Sequence, residues 1–150
     1  MIENTELSFK CGVEHFPSST RPELMAILTA LLAMPLHTTV IIYTDSQAAI
    51  DGINRIMQTN SSRHILKIAN NSLLGVIKQL ISSKQLDFQI VKVKGHSGIE
   101  CNDKADCLAK EAAGQVREGS LGIVNLLDSE VGHRINYYLT WNSVVIDRNL

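Results

Sequence analysis

The chain has 150 residues, of which 45% are hydrophobic, and this is enough to bury the core of one domain. No stretch approaches the roughly 18 consecutive apolar residues of a membrane span, and the first residues lack the features of a secretion signal. The three cysteines fit neither a disulfide framework nor a zinc-ligand pattern, so we expect an intracellular protein, cytoplasmic or nuclear. The net charge of -1 neither favours nor excludes nucleic-acid binding.

The first two predicted elements are a strand and a helix. Residues 6–16 alternate loosely between apolar and polar side chains, which is typical of a half-buried strand. Residues 20–23 read Thr-Arg-Pro-Glu and combine a proline in the first turn with a Thr-x-x-Glu capping box. Apolar residues then recur at helical spacing until Pro35, so we predict a helix over residues 22–34.

The apolar run at residues 40–44 predicts a central strand over 39–44, covered by helices on both faces. It leads directly into Asp45 and Ser46, and a helical pattern follows over residues 46–58. The carboxyl end of such a strand is where α/β sheets place their functional groups. Asp45 is therefore a candidate site residue.

The second half of the predicted domain contains two helices and a strand. We expect a long helix over residues 62–83, a strand over 88–93 and a helix from Glu100 to Gly114, with Gly114 as its C-cap. The element order becomes β-α-β-α-α-β-α, which predicts a layered α/β fold.

The chain changes character after residue 114. Residues 115–120 are polar and contain glycine, residues 121–139 form a weakly amphipathic helical pattern, and residues 141–150 show no clear pattern. We therefore predict a domain over residues 1–114 and a linker with a C-terminal helical tail over 115–150.

Four side chains are candidates for chemistry. Glu23 begins the first helix, Asp45 ends the apolar strand, Asp106 lies in the last helix of the domain, and His96 lies in a Lys-Gly-His-Ser-Gly loop. Clustered carboxylates suit a divalent metal ion. Each also has a structural alternative: Glu23 can complete the capping box, Asp45 can cap the next helix, Asp106 can pair with Lys110, and His96 can be an exposed loop residue.

Three blocks of this sequence resemble type 1 ribonuclease H. They are Ser19 to Leu24, Tyr43 to Ala48, and Lys94 to Gly98 together with Asn102 to Ala109. Their order and spacing are similar to the family pattern, and the resemblance covers roughly residues 6–114. The closest likeness is to the ribonuclease H domains of retrotransposon reverse-transcriptase polyproteins. It implies a three-layer α/β fold with a mixed sheet.

The resemblance implies a two-metal endonuclease that cuts the RNA strand of an RNA/DNA hybrid. Two Mg²⁺ ions, with Mn²⁺ as an alternative, would be held by Asp45, nearest both, and by Glu23 and Asp106. His96 would manage protons or help release the product.

The resemblance also implies how the hybrid is bound. Ser46 and Gln47 match positions that contact its sugar-phosphate backbone. Recognition would rest on the shape of the hybrid and on the 2′-hydroxyl groups of its RNA strand.

The sequence departs from the family pattern at one carboxylate. The family carries a further Asp on its first strand, in an Asp-Gly-Ser context that this chain lacks. Residues 6–16 match the third strand, so we expect the first two strands to be missing and metal binding to be weaker. Residues 6–16 could instead pair with strand 39–44 and bring Glu14 near Asp45, or a homodimer or a parent polyprotein segment could complete the sheet.

Three functions therefore stay open. The first is a metal-dependent ribonuclease H, which the missing carboxylate weakens. The second is a catalytically inactive module that binds a hybrid or duplex. The third is a remnant of a retroelement polyprotein without activity of its own.

Overall fold

The computed structural model describes residues 8, 10, 18–95, 100–119, 139–141 and 144–146. Two compact units make up the chain. The larger unit comprises His15–Gly95 and Leu126–Leu150, and the smaller unit comprises Met1–Glu14 and His96–Asn125.

In its described residues, the larger unit contains four helices, a parallel strand pair and a short hairpin. Its elements are α1 (Thr20–Ala33), β1 (Thr39–Thr44), α2 (Gln47–Gln58), α3 (Ser62–Ile65), α4 (Asn71–Ser83), β2 (Asp87–Lys92), β3 (Leu139–Trp141) and β4 (Val144–Ile146). The prediction of strand 39–44 is confirmed, and the predicted first helix, second helix and last strand agree with α1, α2 and β2 within about two residues.

Strands β1 and β2 are parallel and end together. Thr39 lies opposite Asp87, and Thr44 lies opposite Lys92. Helices α2, α3 and α4 form the crossover that a parallel pair requires. The carboxyl ends of both strands therefore meet at one edge, where Asp45 follows β1.

Only one face of β1 is buried. Val40 and Thr44 are each 6% exposed, whereas Ile41 is 45% and Tyr43 is 64% exposed. The expected burial of this strand on both faces is therefore wrong at Ile41 and Tyr43. Since successive strand side chains point to opposite faces, the exposed pair defines one open face of β1 among the described residues.

The core of the larger unit lies between α1, α2 and α4. Helix α4 packs against both α1 and α2. The fully buried side chains of these helices include Leu28, Leu31, Ile56 and Ile77. Burial of such side chains is the main favourable term in the folding of this unit.

Two lysines of the α4 region bind the carboxyl ends of the neighbouring helices. The ammonium group of Lys84 donates to main-chain carbonyls at the end of α1, and that of Lys78 donates to acceptors at the end of α2. The acceptors of Lys84 are the carbonyls of Leu31 (3.0 Å), Leu32 (2.7 Å) and Met34 (2.7 Å), and those of Lys78 are the carbonyls of Ile56 (3.1 Å) and Thr59 (2.7 Å) and Asn60 Oδ1 (3.3 Å). A positive charge at a helix C-terminus stabilises carbonyls that lack a partner within the helix.

The long helix predicted over residues 62–83 is wrong. Helix α3 ends at Ile65, and α4 begins only at Asn71. Asn70 has a φ of 58°, in the left-handed region, which interrupts the helical hydrogen bonds. Asparagine tolerates this conformation better than most residues, so the apolar spacing continues across a real break.

The smaller unit contains α5 (Glu100–Arg117). The predicted C-cap at Gly114 is wrong, because the helix continues through this residue. Gly119, which has a φ of 72°, follows the helix end. An ion pair of 3.1 Å between Lys10 Nζ and Glu111 Oε2 joins the N-terminal segment to α5.

The predicted tail is partly corrected. Leu139 begins a strand instead of ending a helix, and β3 pairs antiparallel with β4, which lies where the sequence shows no clear pattern. The rest of the predicted helix over residues 121–139 lies outside the described residues, as does nearly all of predicted strand 6–16. None of the helices in the described part of the chain has the length and hydropathy of a membrane span.

Candidate active site

The turn from β1 into α2 is fixed by hydrogen bonds on both sides of Asp45. The carbonyl of Thr44 accepts a hydrogen bond from the Val93 N–H group at 2.9 Å. The hydroxyl of Thr44 accepts another from the Ser46 N–H group at 3.1 Å. The main chain that carries Asp45 is therefore held at the carboxyl edge of the sheet.

Ser46 caps helix α2. Its hydroxyl oxygen accepts a hydrogen bond from the Ala49 N–H group at 3.3 Å, and its backbone is extended, as is typical of an N-cap residue. The structural alternative in which Asp45 caps this helix is therefore wrong. Asp45 is half-buried and lies directly before the N-cap residue Ser46.

The approach of Gly95 to the Asp45 carboxylate is unusually close. A Cβ atom added to Gly95 would lie 2.8 Å from Asp45 Oδ2, which is shorter than a normal contact. Only glycine fits here without a shift of the Asp45 side chain. The loop that carries His96 thus begins directly beside this carboxylate. His96 itself lies outside the described residues, so its role stays a prediction.

Gly95→Ala is expected to displace the Asp45 carboxylate and to lower the rate of a reaction at this carboxylate by about 10- to 100-fold, because a displacement near 1 Å at a reacting group has effects of this size. Stability should change little, since the displaced atom is the end of a side chain. Initial rates and urea unfolding of the same preparations measure both effects.

Gly75→Ala is the matched control for this substitution. Gly75 lies within α4, and a Cβ atom there would meet no atom within 4 Å. It should leave the rate unchanged and raise stability by up to about 1 kcal/mol. An unchanged rate in Gly95→Ala would contradict the importance of the close approach.

Glu23 lies in the first turn of α1. The helix begins at Thr20, and Ser18 Oγ accepts a hydrogen bond from the Arg21 N–H group at 3.2 Å. Thr20 is thus a helical residue, and the predicted Thr-x-x-Glu capping box is wrong by position. Glu23 and Asp45 belong to the same unit of the fold.

The remaining predicted site residues lie on α5 and at the start of α2. Asp106 lies in α5, in the smaller unit, and Gln47 donates a 2.8 Å hydrogen bond from Nε2 to Asp51 Oδ1 on the exposed side of α2. Ser46 uses its hydroxyl for the cap. Contacts of Ser46 and Gln47 with a nucleic acid therefore stay predictions.

The donor chemistry of these residues fits a hard divalent cation. Glu23, Asp45 and Asp106 offer carboxylate oxygens, which Mg²⁺ prefers. Over the described ranges, no three His, Cys, Asp or Glu side chains form a group that could hold a metal ion. The fit therefore rests on donor type and on the position of Asp45 at the sheet edge.

Lys92 is a site residue that the sequence reasoning did not select. Its ammonium group donates a 3.1 Å hydrogen bond to the main-chain carbonyl of Asp45. The available signal was its place at the end of β2, beside the end of β1 in a parallel pair.

Comparisons with known proteins identify the family. The family model described as RNase H matches residues 1–114. The ribonuclease H of Parvibaculum lavamentivorans is 35% identical over 106 residues, covering 67% of this chain and 69% of that protein. The ribonuclease H of Methylobacillus flagellatus is 33% identical over 110 residues, covering 70% and 72%. The chain belongs to the ribonuclease H family.

Proposed function

We propose that this chain hydrolyses the RNA strand of RNA/DNA hybrids in a reaction that depends on a divalent metal ion. The family acts on such hybrids and generally uses a divalent metal. The observation that carries the proposal is the position of Asp45, whose carboxylate lies at the carboxyl edge of β1 and against Gly95. This is the edge at which open α/β sheets bind ligands.

Three carboxylates would hold the metal ions: Asp45, Glu23 and Asp106. Bound Mg²⁺ or Mn²⁺ supplies Lewis acidity, which makes water a stronger nucleophile and offsets charge on phosphate oxygens. His96, directly after Gly95, would accept or return a proton near the leaving group. Ser46 and Gln47, at the start of α2, would contact the sugar-phosphate backbone.

The family pattern includes a further carboxylate that contributes to metal binding. These 150 residues contain no Asp-Gly-Ser segment, in which the family pattern places that group. Glu14 could replace it if residues 6–16 pair with β1, and a second copy or another polyprotein segment could also complete the sheet. We also propose that this chain is related to the ribonuclease H domains of retrotransposon polyproteins.

The test is cleavage of a hybrid labelled at the end of its RNA strand. We expect cleavage in Mg²⁺ or Mn²⁺, none in EDTA, and none of double-stranded RNA or DNA of the same sequence. Asp45→Asn protein purified in the same way reports contaminating nuclease. Equal cleavage by that variant would contradict the proposal.

A hybrid-binding module without cleavage is the second candidate. It is favoured by the charge of residues 18–95, which carry eight Lys and Arg but only four Asp and Glu. Binding through these cations should weaken steeply with salt, because phosphate contacts release counterions. Salt-sensitive binding without cleavage in any metal would support this candidate.

A further inference from the structure

The peptide group between Asp45 and Ser46 receives a charged donor from the neighbouring strand. The N–H group of Ser46 is bound within its own turn, by Thr44 Oγ1. The carbonyl of Asp45 is bound by Lys92 Nζ, from the end of β2, at 3.1 Å. This hydrogen bond ties the backbone of the site carboxylate to the second strand by a side chain.

We propose that Lys92 is a positioning residue, which aims the Asp45 carboxylate by holding the Asp45 main-chain carbonyl. The role rests on the proposed function and identifies a group that acts on the same site. The ladder bond from Val93 to Thr44 stops one residue before Asp45, so Lys92 carries the inter-strand connection one residue further.

The geometry explains why orientation at Asp45 matters. Gly95 already lies against Asp45 Oδ2, so a rotation of the Asp45 peptide would move the carboxylate relative to this loop. A hydrogen bond with a charged donor resists such rotation better than one with a neutral donor. An exposed lysine beside the site could instead bind a phosphate of the hybrid, and kinetics separates these roles.

Lys92→Met keeps most of the aliphatic stem and removes the donor. We expect kcat to fall about three- to tenfold, as for the loss of one hydrogen bond, while KM stays within about twofold. Lys92→Arg, which retains a donor, should recover most of kcat. A raised KM with unchanged kcat, and a salt dependence reduced by about one phosphate contact, would overturn the proposal in favour of direct substrate binding.

Amide hydrogen exchange of Ser46, followed by NMR without metal or hybrid, tests the same role independently of activity. In Lys92→Met it should accelerate by about three- to tenfold, while exchange of the Val93 amide stays unchanged because the strand ladder persists. Lys92→Arg should restore the slow rate. Lys67→Met, which removes an exposed charge between α3 and α4, should leave Ser46 exchange at the wild-type rate.

The two readouts separate this inference from the proposed function. If the wild-type chain does not cleave, the proposed function fails, and the Ser46 exchange rate still decides whether Lys92 holds the Asp45 turn. Unchanged Ser46 exchange in Lys92→Met would overturn the inference even in an active enzyme.

Discussion

Asp45→Asn is expected to lower the rate of hybrid cleavage by at least about 10³-fold. Asparagine keeps the size of the side chain but removes the negative charge that binds a divalent cation, and that binding contributes several kcal/mol to catalysis. The measurement is the initial rate on the end-labelled hybrid at saturating metal. Stability should change by less than about 1 kcal/mol, because Ser46 rather than Asp45 caps α2.

Asp87→Asn is the matched control for Asp45→Asn. Asp87 is an exposed acid at the amino end of β2, opposite Thr39, whose hydroxyl donates to its carboxylate at 3.4 Å. Asp87→Asn removes the same charge from the other end of the strand pair and should leave the cleavage rate within about twofold of the wild-type rate. Equal losses in both variants would point to net charge or folding, and would contradict a specific role for Asp45.

Leu28→Ala is expected to lower the free energy of unfolding by about 3 to 4 kcal/mol. Leu28 is 0% exposed and belongs to α1, which packs against α4. Truncation removes buried methyl groups and leaves a cavity that well-packed helices fill only in part. Urea unfolding followed by circular dichroism measures the shift in midpoint, and an unchanged slope would show that the surface exposed on unfolding is the same.

Leu32→Ala provides the comparison within the same helix. Leu32 lies one turn later and is 41% exposed, so its loss should lower stability by less than about 1 kcal/mol. The hydrogen bond from Lys84 Nζ uses the main-chain carbonyl of Leu32, so it survives the substitution. Similar losses at both positions would contradict the assignment of the core between α1 and α4.

The elements with a single consistent signal were predictable from the sequence. Strand 39–44 is an apolar run with a helix signal on each side, and its predicted bounds are confirmed. The region of residues 62–83 was not predictable in this way. Apolar spacing persists across a break over residues 66–70, which ends in a left-handed backbone at Asn70, and hydrophobic periodicity does not report backbone angles.

The burial of each face of an element could also not be predicted from the sequence. The run at residues 40–44 places apolar side chains on both faces of the strand, which favours burial of both faces. Ile41 and Tyr43 are nevertheless exposed. Likewise, Gly114 looks like a helix end but lies inside α5. A glycine in a helix interior costs only about 1 kcal/mol, so the flanking sequence can keep the helix continuous.

The site was predictable in its residue types and less so in its local geometry. The position of Asp45 follows from the strand pattern, and the family resemblance that the sequence showed is confirmed by the match over residues 1–114. The cap at Ser46 depends on hydrogen-bond geometry that neither composition nor spacing reports. The contact of Lys92 with Asp45 depends on strand register, which is a long-range property.

The lysine contacts of the α4 region bear on how this unit folds during synthesis. Lys84 lies 53 residues after its acceptor Leu31, and Lys78 lies 22 residues after Ile56. The ribosome therefore releases α1 long before the groups that bind its C-terminal carbonyls and cover its apolar face. A nascent chain that stops before residue 71 lacks all of α4 and cannot form the core. The larger unit therefore cannot complete its core until α4 has emerged, and until then the apolar face of α1 lacks its partner helix.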